Sequence, residues 1–227
     1  MKNLIAVTIG DIDGIGIHLL IKEWLKGNIK NFILITNFKI LNKKKILNKN
    51  KINIIKNKNE FKKYNKFKLN ILNINTKNKH TNVIDSLNKA YDHTKNGTFI
   101  GILTLPLNKN KINKFVNNKF IDQTTYFSKL ENNNGSNMIF FFKNKFFVPL
   151  TIHIELKEVH NHFKKNKLIF NKIKSLNETI KNDFGIKIPK IILSGINPHA
   201  GENGLISKDD NKYIKPIVKL LQKNKIN

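Results

Sequence analysis

Residues 4–16 read LIAVTIGDIDGIG, and this stretch decides the predicted fold. It begins with apolar and β-branched residues, which predict a strand over Leu4–Ile9. A glycine-rich turn follows, after which apolar residues at helical spacing predict a helix over Ile17–Lys26. A strand, a tight turn and a helix in this order are typical of proteins in which strands and helices alternate.

The glycines of this turn, Gly10, Gly14 and Gly16, allow two interpretations. Their spacing differs from the GxGxxG fingerprint of dinucleotide-binding folds, so that motif is absent. Glycines let the backbone turn sharply and expose amides at a helix N-terminus, an arrangement that binds anions. A tight turn with a structural purpose explains the same spacing equally well, and both interpretations stay open.

Further strands and helices alternate through the first half of the chain. Strands are predicted at Asn31–Thr36 and Leu69–Ile74, and a buried strand at Phe99–Leu105. A helix is predicted to begin at Thr81, whose hydroxyl we expect to cap it. Residues 37–67 are rich in lysine and asparagine and give only weak signals. The alternation predicts an α/β fold with a largely parallel sheet.

The second half has a different pattern, and we place a domain boundary near residue 110. The predicted domains are therefore residues 1–110, which contain the glycine turn, and residues 111–227. The second domain is predicted to contain two hairpin strands, a helix, a further strand and a final helix, at Asn137–Phe142, Phe146–Ile152, Asn166–Phe184, Lys190–Ile196 and Asp209–Leu221.

The charge of the chain is less informative than its size suggests. All 42 basic residues are lysines, and with 15 acidic residues they give a net charge of +27. The 38 Asn and 36 Ile share with lysine codons made only of A and T, so we attribute the charge to an AT-rich genome. A nucleic-acid-binding protein would use arginine for bidentate contacts and aromatic residues for stacking. We therefore expect no specific nucleic-acid partner.

The sequence also leads us to expect that the chain does not belong to several other classes of protein. Apolar runs such as Met138–Phe142 are far shorter than the about 18 residues of a membrane-spanning helix. Asp11 interrupts the apolar N-terminus too early for a signal peptide. The chain contains no cysteine, which removes disulfides, thiolate nucleophiles and cysteine-bound zinc. We expect a cytoplasmic protein without a membrane partner.

Two polar segments of the first half are candidate site segments. Lys109 follows the Phe99–Leu105 strand in LTLPLNK, and ligands of α/β proteins collect beyond the carboxyl ends of parallel strands. Its ammonium group suits a phosphate or carboxylate, although a solvated surface lysine is the simpler interpretation. The segment DQTTYF at residues 122–127 reads as a helix start, with Asp122 as its cap.

Histidines at two predicted strand ends are candidate metal ligands. His153 follows the FFVPLTI strand, and His199 lies with Glu202 in the loop NPHAGENG. The two imidazoles can converge on a divalent ion, but a catalytic zinc site usually has three protein ligands. A structural histidine is the alternative at position 153. His160 and His162 lie two apart in a predicted helix, and we interpret them as surface residues.

Five segments in chain order resemble motifs of the 4-hydroxythreonine-4-phosphate dehydrogenase family of vitamin B6 biosynthesis. They correspond to its GDPAGIGPE turn, its TGPxxK loop, its F-x-GHTE segment, its strand ending in T-x-H, and its NPHAGE loop. In this chain they read VTIGDIDGIG, LTLPLNK, FIDQTTYF, FVPLTIHIELKEV and INPHAGENG. The last matches almost letter for letter, and the five together extend over almost the whole chain.

This resemblance implies a fold, a reaction and an assembly. The implied fold is the two-domain α/β fold of isocitrate and isopropylmalate dehydrogenases. The implied reaction is NAD-dependent oxidation of 4-phosphooxy-L-threonine, with decarboxylation of the product, in pyridoxal phosphate biosynthesis. The family uses a divalent metal, here Zn, Mg or Co, held by three histidines. It forms homodimers whose active site is shared between subunits.

The resemblance also implies roles for five residues. His153 and His199 correspond to two of the metal ligands, and Lys109 to an active-site lysine. Thr124 corresponds to a substrate contact, and Gln123 stands where the family has a substrate-binding histidine. No cofactor-binding residue and no general base is assigned.

Departures from the family pattern leave two hypotheses. Asp122 replaces a glycine, His18 a glutamate, and Leu105 a glycine. The sequence ends at Asn227, before the YHDQG-type segment that carries the third metal histidine in the family. Under the first hypothesis the chain is a divergent, C-terminally truncated dehydrogenase with an incomplete second domain. Under the second it is an inactive remnant that retains only dimerisation or weak metal binding.

Overall fold

The computed structural model describes residues 3–116, 119–132 and 136–227. The chain separates into two compact units, Met1–Phe127 and Ser128–Asn227, which we call the first and second units. The division falls after Phe127, whereas the sequence pattern predicts a boundary near residue 110.

A five-stranded parallel sheet organises the first unit. The strands lie in the order β3-β4-β2-β1-β5, and every pairing between them is parallel. This sheet confirms the predicted α/β class. The strands are β1 (Ile5–Thr8), β2 (Phe32–Thr36), β3 (Ile52–Ile55), β4 (Leu69–Asn73) and β5 (Gly101–Thr104). The helices are α1 (Ile15–Leu25), α2 (Phe38–Asn42), α3 (Thr81–Lys95), α4 (Lys109–Phe115) and α5 (Gln123–Leu130), the last of which begins in this unit.

The central strand β2 shows why this sequence forms a parallel sheet. All five of its residues are buried, which is typical of a strand covered on both faces. Leu34 packs into one apolar cluster with residues of α1, while Ile33 and Ile35 pack into a second cluster on the opposite face. Strand β3 lies in residues 37–67, a lysine- and asparagine-rich segment whose pattern predicts secondary structure only weakly.

The prediction that Phe99–Leu105 forms a buried strand was wrong for the burial of the strand itself, although Phe99 and Leu105 at the two ends of the segment are buried. Strand β5 forms within this segment but lies at the sheet edge, where it pairs only with β1 in the described part of the chain. Its Leu103 side chain is 49% exposed. The apolar composition of the segment was read as burial, but an edge strand has a neighbour on one side only.

Helix caps confirmed one prediction and overturned another. Asp122 caps α5, because its Oδ1 accepts the Thr125 amide at 2.7 Å. Helix α3 begins at Thr81 as predicted, but the Thr81 hydroxyl is not its cap. The Asn78 side chain accepts the amides of His80 and Thr81 at 2.8 and 3.1 Å instead.

The second unit is built mainly from helices. The described strands are the short antiparallel pair β6 (Phe140–Phe142) and β7 (Lys145–Phe147), joined by Lys143 and Asn144 at φ 46° and 62°. Two residues at positive φ are typical of a tight hairpin turn, so the hairpin prediction is confirmed over shorter strands. The helices are α6 (Val159–Phe163), α7 (Asn166–Asn182) and α8 (Lys215–Lys223), and a wide helical turn, Asp210–Ile214, leads into α8. Apolar residues of α7 pack against this turn and α8.

The predicted strand Lys190–Ile196 is absent from the structure. These residues run irregularly, although Ile191 donates its amide to the Asn227 carbonyl at 2.8 Å. Ile192 is 93% exposed. A strand requires a hydrogen-bonded neighbour, and no described strand pairs with this segment. Apolar composition alone therefore misled the prediction.

In the parts of the chain that the structure describes, no helix combines the length and apolar character needed to cross a membrane.

Candidate functional site

Two of the sequence motifs meet at the carboxyl edge of the parallel sheet in the first unit. The glycine turn follows β1, and the LTLPLNK loop follows the neighbouring strand β5. Gly10 has φ +63°, and a Cβ atom added there would lie 2.4 Å from the Pro106 carbonyl oxygen. The next amide, of Asp11, donates to the same oxygen at 2.9 Å. Only glycine allows this close crossing of the two backbones.

The third glycine of the turn has a packing reason as well. A Cβ atom on Gly16 would lie 2.9 Å from the Pro106 ring and 3.2 Å from Leu105 Cβ. Close packing of α1 against the β5 loop therefore requires the absence of a side chain. This observation favours the structural interpretation of Gly10 and Gly16, and the anion-binding interpretation of the turn stays a prediction.

The acidic residues of the turn hold a group of lysines, which we call the aspartate–lysine cluster: Asp11, Asp13, Lys44, Lys79 and Lys111. Lys111 Nζ lies 2.9 Å from Asp11 Oδ2, and Lys79 Nζ lies 2.9 Å from Asp13 Oδ2. Lys44 forms an ion pair with the other oxygen of Asp13. Hydrogen bonds from Lys44 and Lys79 hold the pKa of Asp13 well below its ordinary value. The hydrogen bond to Asp11 raises the pKa of Lys111.

Four members of the cluster, Asp11, Asp13, Lys79 and Lys111, line a small cavity together with His80 and Asn108. With all five groups ionised, the cluster including Lys44 has a formal charge of +1, whereas its four members at the cavity balance each other. The His80 ring stacks on Phe115 of α4 with 4.3 Å between the ring centroids. A cluster with one excess positive charge at the carboxyl edge of a parallel sheet favours an anionic ligand such as a phosphate ester.

Lys109 lies at the same edge. It is the first residue of α4 and is exposed. The preceding residue, Asn108, caps α4 because its Oδ1 accepts the Lys111 amide at 3.1 Å. The cap fixes the direction in which the chain leaves β5. Lys109 lies two residues before Lys111 of the aspartate–lysine cluster in the sequence.

Gln123 and Thr124 occupy the first turn of α5 and are half-buried. The carboxylate of Asp122 bonds the Thr125 amide and hydroxyl, so the cap uses both of its oxygens. The Tyr126 hydroxyl donates to Asn88 Oδ1 at 2.6 Å and thereby ties α5 to α3. Burial raises the pKa of Tyr126. These contacts give the two residues a fixed helical position.

His153 lies on an irregular segment of the second unit. It is exposed and has φ +55°, an uncommon conformation for a residue with a side chain. The segment before it is held by Lys172 of α7, whose Nζ donates to the Leu150 carbonyl at 2.9 Å. Burial lowers the pKa of Lys172. The predicted strand Phe146–Ile152 would reach to His153, but β7 ends at Phe147. The hydrogen bond from Lys172 therefore holds a segment that has no strand pairing with a described strand.

His199 lies on a loop of unusual backbone conformation. The five residues from His199 to Asn203 all have φ between 45° and 73°. Gly201 is the only glycine among them, and a Cβ atom there would lie 2.2 Å from the Ser207 carbonyl oxygen. His199 and Glu202 are both exposed. The NPHAGENG loop thus presents its imidazole from a left-handed turn.

The described residues do not provide a complete metal site. Across residues 3–116, 119–132 and 136–227, no three or more His, Cys, Asp or Glu side chains are grouped so that they could hold a metal ion. His153 and His199 are therefore at most two members of such a set, and three protein ligands are usual for catalytic zinc. We derive no chemical step through a metal from this arrangement.

The His160 side chain is 40% exposed, which agrees with its interpretation as a surface residue, but its ring has partners that the sequence did not indicate. Its Nε2 lies 3.2 Å from the hydroxyl of the buried Tyr213. Its Nδ1 lies 3.3 Å from Asp209 Oδ1. Sequence reasoning missed this group because its members are distant in the chain and acquire their meaning only from the fold.

The parallel sheet, with site segments at its carboxyl edge, defines the class of protein as α/β, and solved structures specify the fold further. The structure of 4-hydroxythreonine-4-phosphate dehydrogenase from Klebsiella pneumoniae matches with a TM-score of 0.84 at 20% identity, covering 99% of this chain and 73% of that chain. A 4-hydroxythreonine-4-phosphate dehydrogenase from Burkholderia phymatum matches with a TM-score of 0.75 at 22% identity, covering 99% and 72%. At these identities the likeness shows the fold alone.

The sequence itself shows the family. Residues 28–227 match the family described as pyridoxal phosphate biosynthetic protein PdxA, and the chain belongs to this family. The 4-hydroxythreonine-4-phosphate dehydrogenase of Pseudoalteromonas translucida is 32% identical over 146 residues, which are 64% of this chain and 43% of that protein. That of Bacteroides thetaiotaomicron is 31% identical over 144 residues, or 63% and 39%. The chain thus spans less than half the length of these curated relatives.

Proposed function

We propose that the chain acts in the NAD-dependent oxidation of 4-phosphooxy-L-threonine in pyridoxal phosphate biosynthesis. The observation that carries the proposal is the family match over residues 28–227, which contains the LTLPLNK, FIDQTTYF and NPHAGENG segments. Curated relatives in the same family bear the name of this dehydrogenase. Neither the family match nor the structural relatives favour the alternative of an inactive remnant.

The charges of the first unit support a phosphorylated substrate. The aspartate–lysine cluster carries a formal excess of one positive charge, and Lys109 adds another at the same sheet edge. Ammonium groups bind phosphate and carboxylate oxygens through charge-assisted hydrogen bonds. In this proposal Lys109 contacts the anionic substrate, while Gln123 and Thr124 donate hydrogen bonds to it from the first turn of α5.

The remaining parts of the proposal follow the family. His153 and His199 contribute two ligands to a divalent cation, and NAD accepts the hydride. We further propose a cytoplasmic homodimer with an active site shared between subunits.

The decisive experiment uses the purified full chain with 4-phosphooxy-L-threonine, NAD and Zn, Mg or Co in parallel. NADH formation at the nicotinamide absorbance band is expected only when the substrate is present. The Lys109→Met variant is expected to lower kcat/KM about tenfold or more, because the substrate loses a charged contact. Lys114→Met, at the other end of α4, is the matched control and should change it less than about twofold.

Two outcomes contradict the proposal in different ways. Binding of 4-phosphooxy-L-threonine in a calorimeter without NADH formation under any of the three cations would identify the inactive remnant. Neither binding nor turnover, from a chain whose circular dichroism shows a folded protein, would remove this substrate altogether.

A further inference from the structure

The NPHAGENG loop adopts a conformation that its own sequence does not favour. Four of its residues, His199, Ala200, Glu202 and Asn203, carry side chains and have φ between 45° and 55°. A left-handed conformation is unfavourable for each such residue, because Cβ comes too close to the following carbonyl oxygen. Several successive residues persist in this region only when surrounding contacts determine them.

The first such contact is the carboxylate of Asp210. This side chain belongs to a residue that is only 4% exposed, and it faces the residues that lead into the loop. Its Oδ1 accepts the Ile196 amide at 3.0 Å, and its Oδ2 lies 3.5 Å from the Asn197 amide. A Cβ atom on Gly195 would lie 3.0 Å from Asp210 Oδ1 and 3.1 Å from Ala200 Cα. Gly195 therefore leaves the space that the carboxylate and the loop occupy.

A second contact involves the neighbouring carboxylate. The Asn197 side chain lies 3.4 Å from Asp209 Oδ2, while His160 Nδ1 lies 3.3 Å from Asp209 Oδ1. Hydrogen bonds from Ser207, and then from Asn197 and His160, hold the pKa of Asp209 below its ordinary value. Tyr213 completes the chain of contacts with its hydroxyl 3.2 Å from His160 Nε2. The side chain of Asn197 is thus tied to α6 through Asp209.

The far end of the loop is closed by backbone contacts. The Ile206 amide donates to the Gly201 carbonyl at 3.1 Å, and the Ser207 carbonyl occupies the space beside the Gly201 Cα. These bonds connect residues within the loop and its exit. At the entrance, Ile196 packs against the apolar cluster of α7 and α8, and Asp209 and Asp210 provide the side-chain hydrogen bonds to Ile196 and Asn197.

We propose that Asp210, together with the Asp209–His160 pair, positions the NPHAGENG loop and thereby sets the direction of the His199 imidazole. Asp210 fixes the backbone at Ile196 and Asn197, and the Asp209–His160 pair fixes the Asn197 side chain. All three are positioning residues that act through the loop. The importance of His199 for the reaction rests on the proposed function, whereas the control of the loop conformation does not.

Hydrogen exchange of the full-length chain tests the proposal without any assay of turnover. In Asp210→Ala, the amides of Ile196 and Asn197 are expected to exchange about tenfold faster or more, because each loses a charge-assisted bond. Asp210→Asn keeps one acceptor oxygen and should restore part of the protection. His160→Phe removes both hydrogen bonds of the ring and should accelerate the Asn197 amide about two- to threefold. His160→Gln should reverse part of this change.

A spectroscopic readout separates positioning from general stability. The ring signals of His199, assigned among the seven histidines by comparison with His199→Gln, are expected to shift in Asp210→Ala. Glu178→Gln on the exposed side of α7 removes the same charge from the second unit and should leave both readouts unchanged.

Two results would overturn the proposal. One is a wild-type exchange rate at Ile196 and Asn197 together with unshifted His199 signals in Asp210→Ala. The other is acceleration spread equally over α7 and α8, which would make Asp210 a residue of general stability. If the chain proves inactive as a dehydrogenase, the exchange measurement still decides the positioning role.

Discussion

The first unit holds its site segments at the ends of paired strands, whereas the second unit holds them on irregular segments tied by single side chains. Strands β1 and β5 pair from Ile5–Gly101 to Thr8–Thr104, so the turn after one meets the loop after the other. In the second unit, His153 follows a segment bonded by Lys172, and His199 follows one bonded by Asp210.

This difference indicates which contacts determine the local stability of each site segment. Strand pairing distributes the restraint over many backbone bonds and a buried core, so that no single polar side chain is decisive. A segment held by one carboxylate or one ammonium group depends on that group. We therefore expect core substitutions to dominate in the first unit and polar substitutions to act locally in the second.

The largest expected effect tests the comparison at two isoleucines. Ile33 of β2 is fully buried, whereas Ile192, in the segment where a strand was predicted, is 93% exposed. Ile33→Ala is expected to lower the free energy of unfolding by about 3 kcal/mol, because it removes buried methyl groups and leaves a cavity. Ile192→Ala is expected to change it by less than about 0.5 kcal/mol.

Urea denaturation measures both variants. The fluorescence of Trp24, the single tryptophan, follows the first unit because its ring packs against the core there. Circular dichroism follows the helices of both units. A loss above about 2 kcal/mol in Ile192→Ala would contradict the exposed position of this side chain and would show that segment 190–196 packs as tightly as a buried strand.

The elements predicted from sequence are those fixed by local pattern. Strand β1, the glycine turn and α1 were predicted because each carries a distinct periodicity or turn signal within about ten residues. Helix α7 was predicted from apolar residues at helical spacing, and Asp122 from its position before a helix. These features need no knowledge of distant residues.

The features that the sequence did not reveal depend on partners that are distant in the chain, or on residues that do not stand out from its composition. Lys79 and Lys111 could not be singled out among 42 lysines, although their partners Asp11 and Asp13 belong to only 15 acidic residues. The segment 190–196 has the composition of a strand but lacks a described neighbour to pair with. His160 required the fold to bring Asp209 and Tyr213 to its ring.

Glycine substitutions sharpen the comparison with an effect of intermediate size. Gly10 and Gly27 both have positive φ, but only at Gly10 would a Cβ atom meet backbone, at 2.4 Å. Gly27→Ala is expected to cost about 1 kcal/mol from strain alone. Gly10→Ala is expected to cost about 2 kcal/mol more, because the β1 and β5 segments cannot separate without disturbing the sheet.

The second unit offers the corresponding pair. Gly201 and Gly185 also have positive φ, and a Cβ atom would lie 2.2 Å from the Ser207 carbonyl oxygen at Gly201 but meet nothing within 4 Å at Gly185. The Ser207 carbonyl belongs to the exit of the same loop and not to a paired strand, so it can move away from an added Cβ atom. We therefore expect Gly201→Ala to exceed Gly185→Ala by less than about 1 kcal/mol. Urea midpoints followed by circular dichroism measure this difference. An excess as large as that of Gly10→Ala would contradict the contrast between the units.

The smallest expected effect concerns Asp13, whose carboxylate is a polar tie within the sheet-based unit. Its folded-state pKa lies below the ordinary value of about 3.9, so its contribution is present above that pH and is lost as the pH falls below it. The group is partly exposed and its lysine partners more so, so we expect Asp13→Asn to lower the free energy of unfolding by less than about 1 kcal/mol at pH 7. The difference from wild type should shrink at pH 3, while Asp92→Asn on the exposed side of α3 should match wild type at both pH values. Trp24 fluorescence measures the unfolding of these variants. A larger loss would mean that the first unit also depends on a single polar side chain. A loss that increases toward acidic pH would contradict the direction argued for the pKa of this carboxyl group.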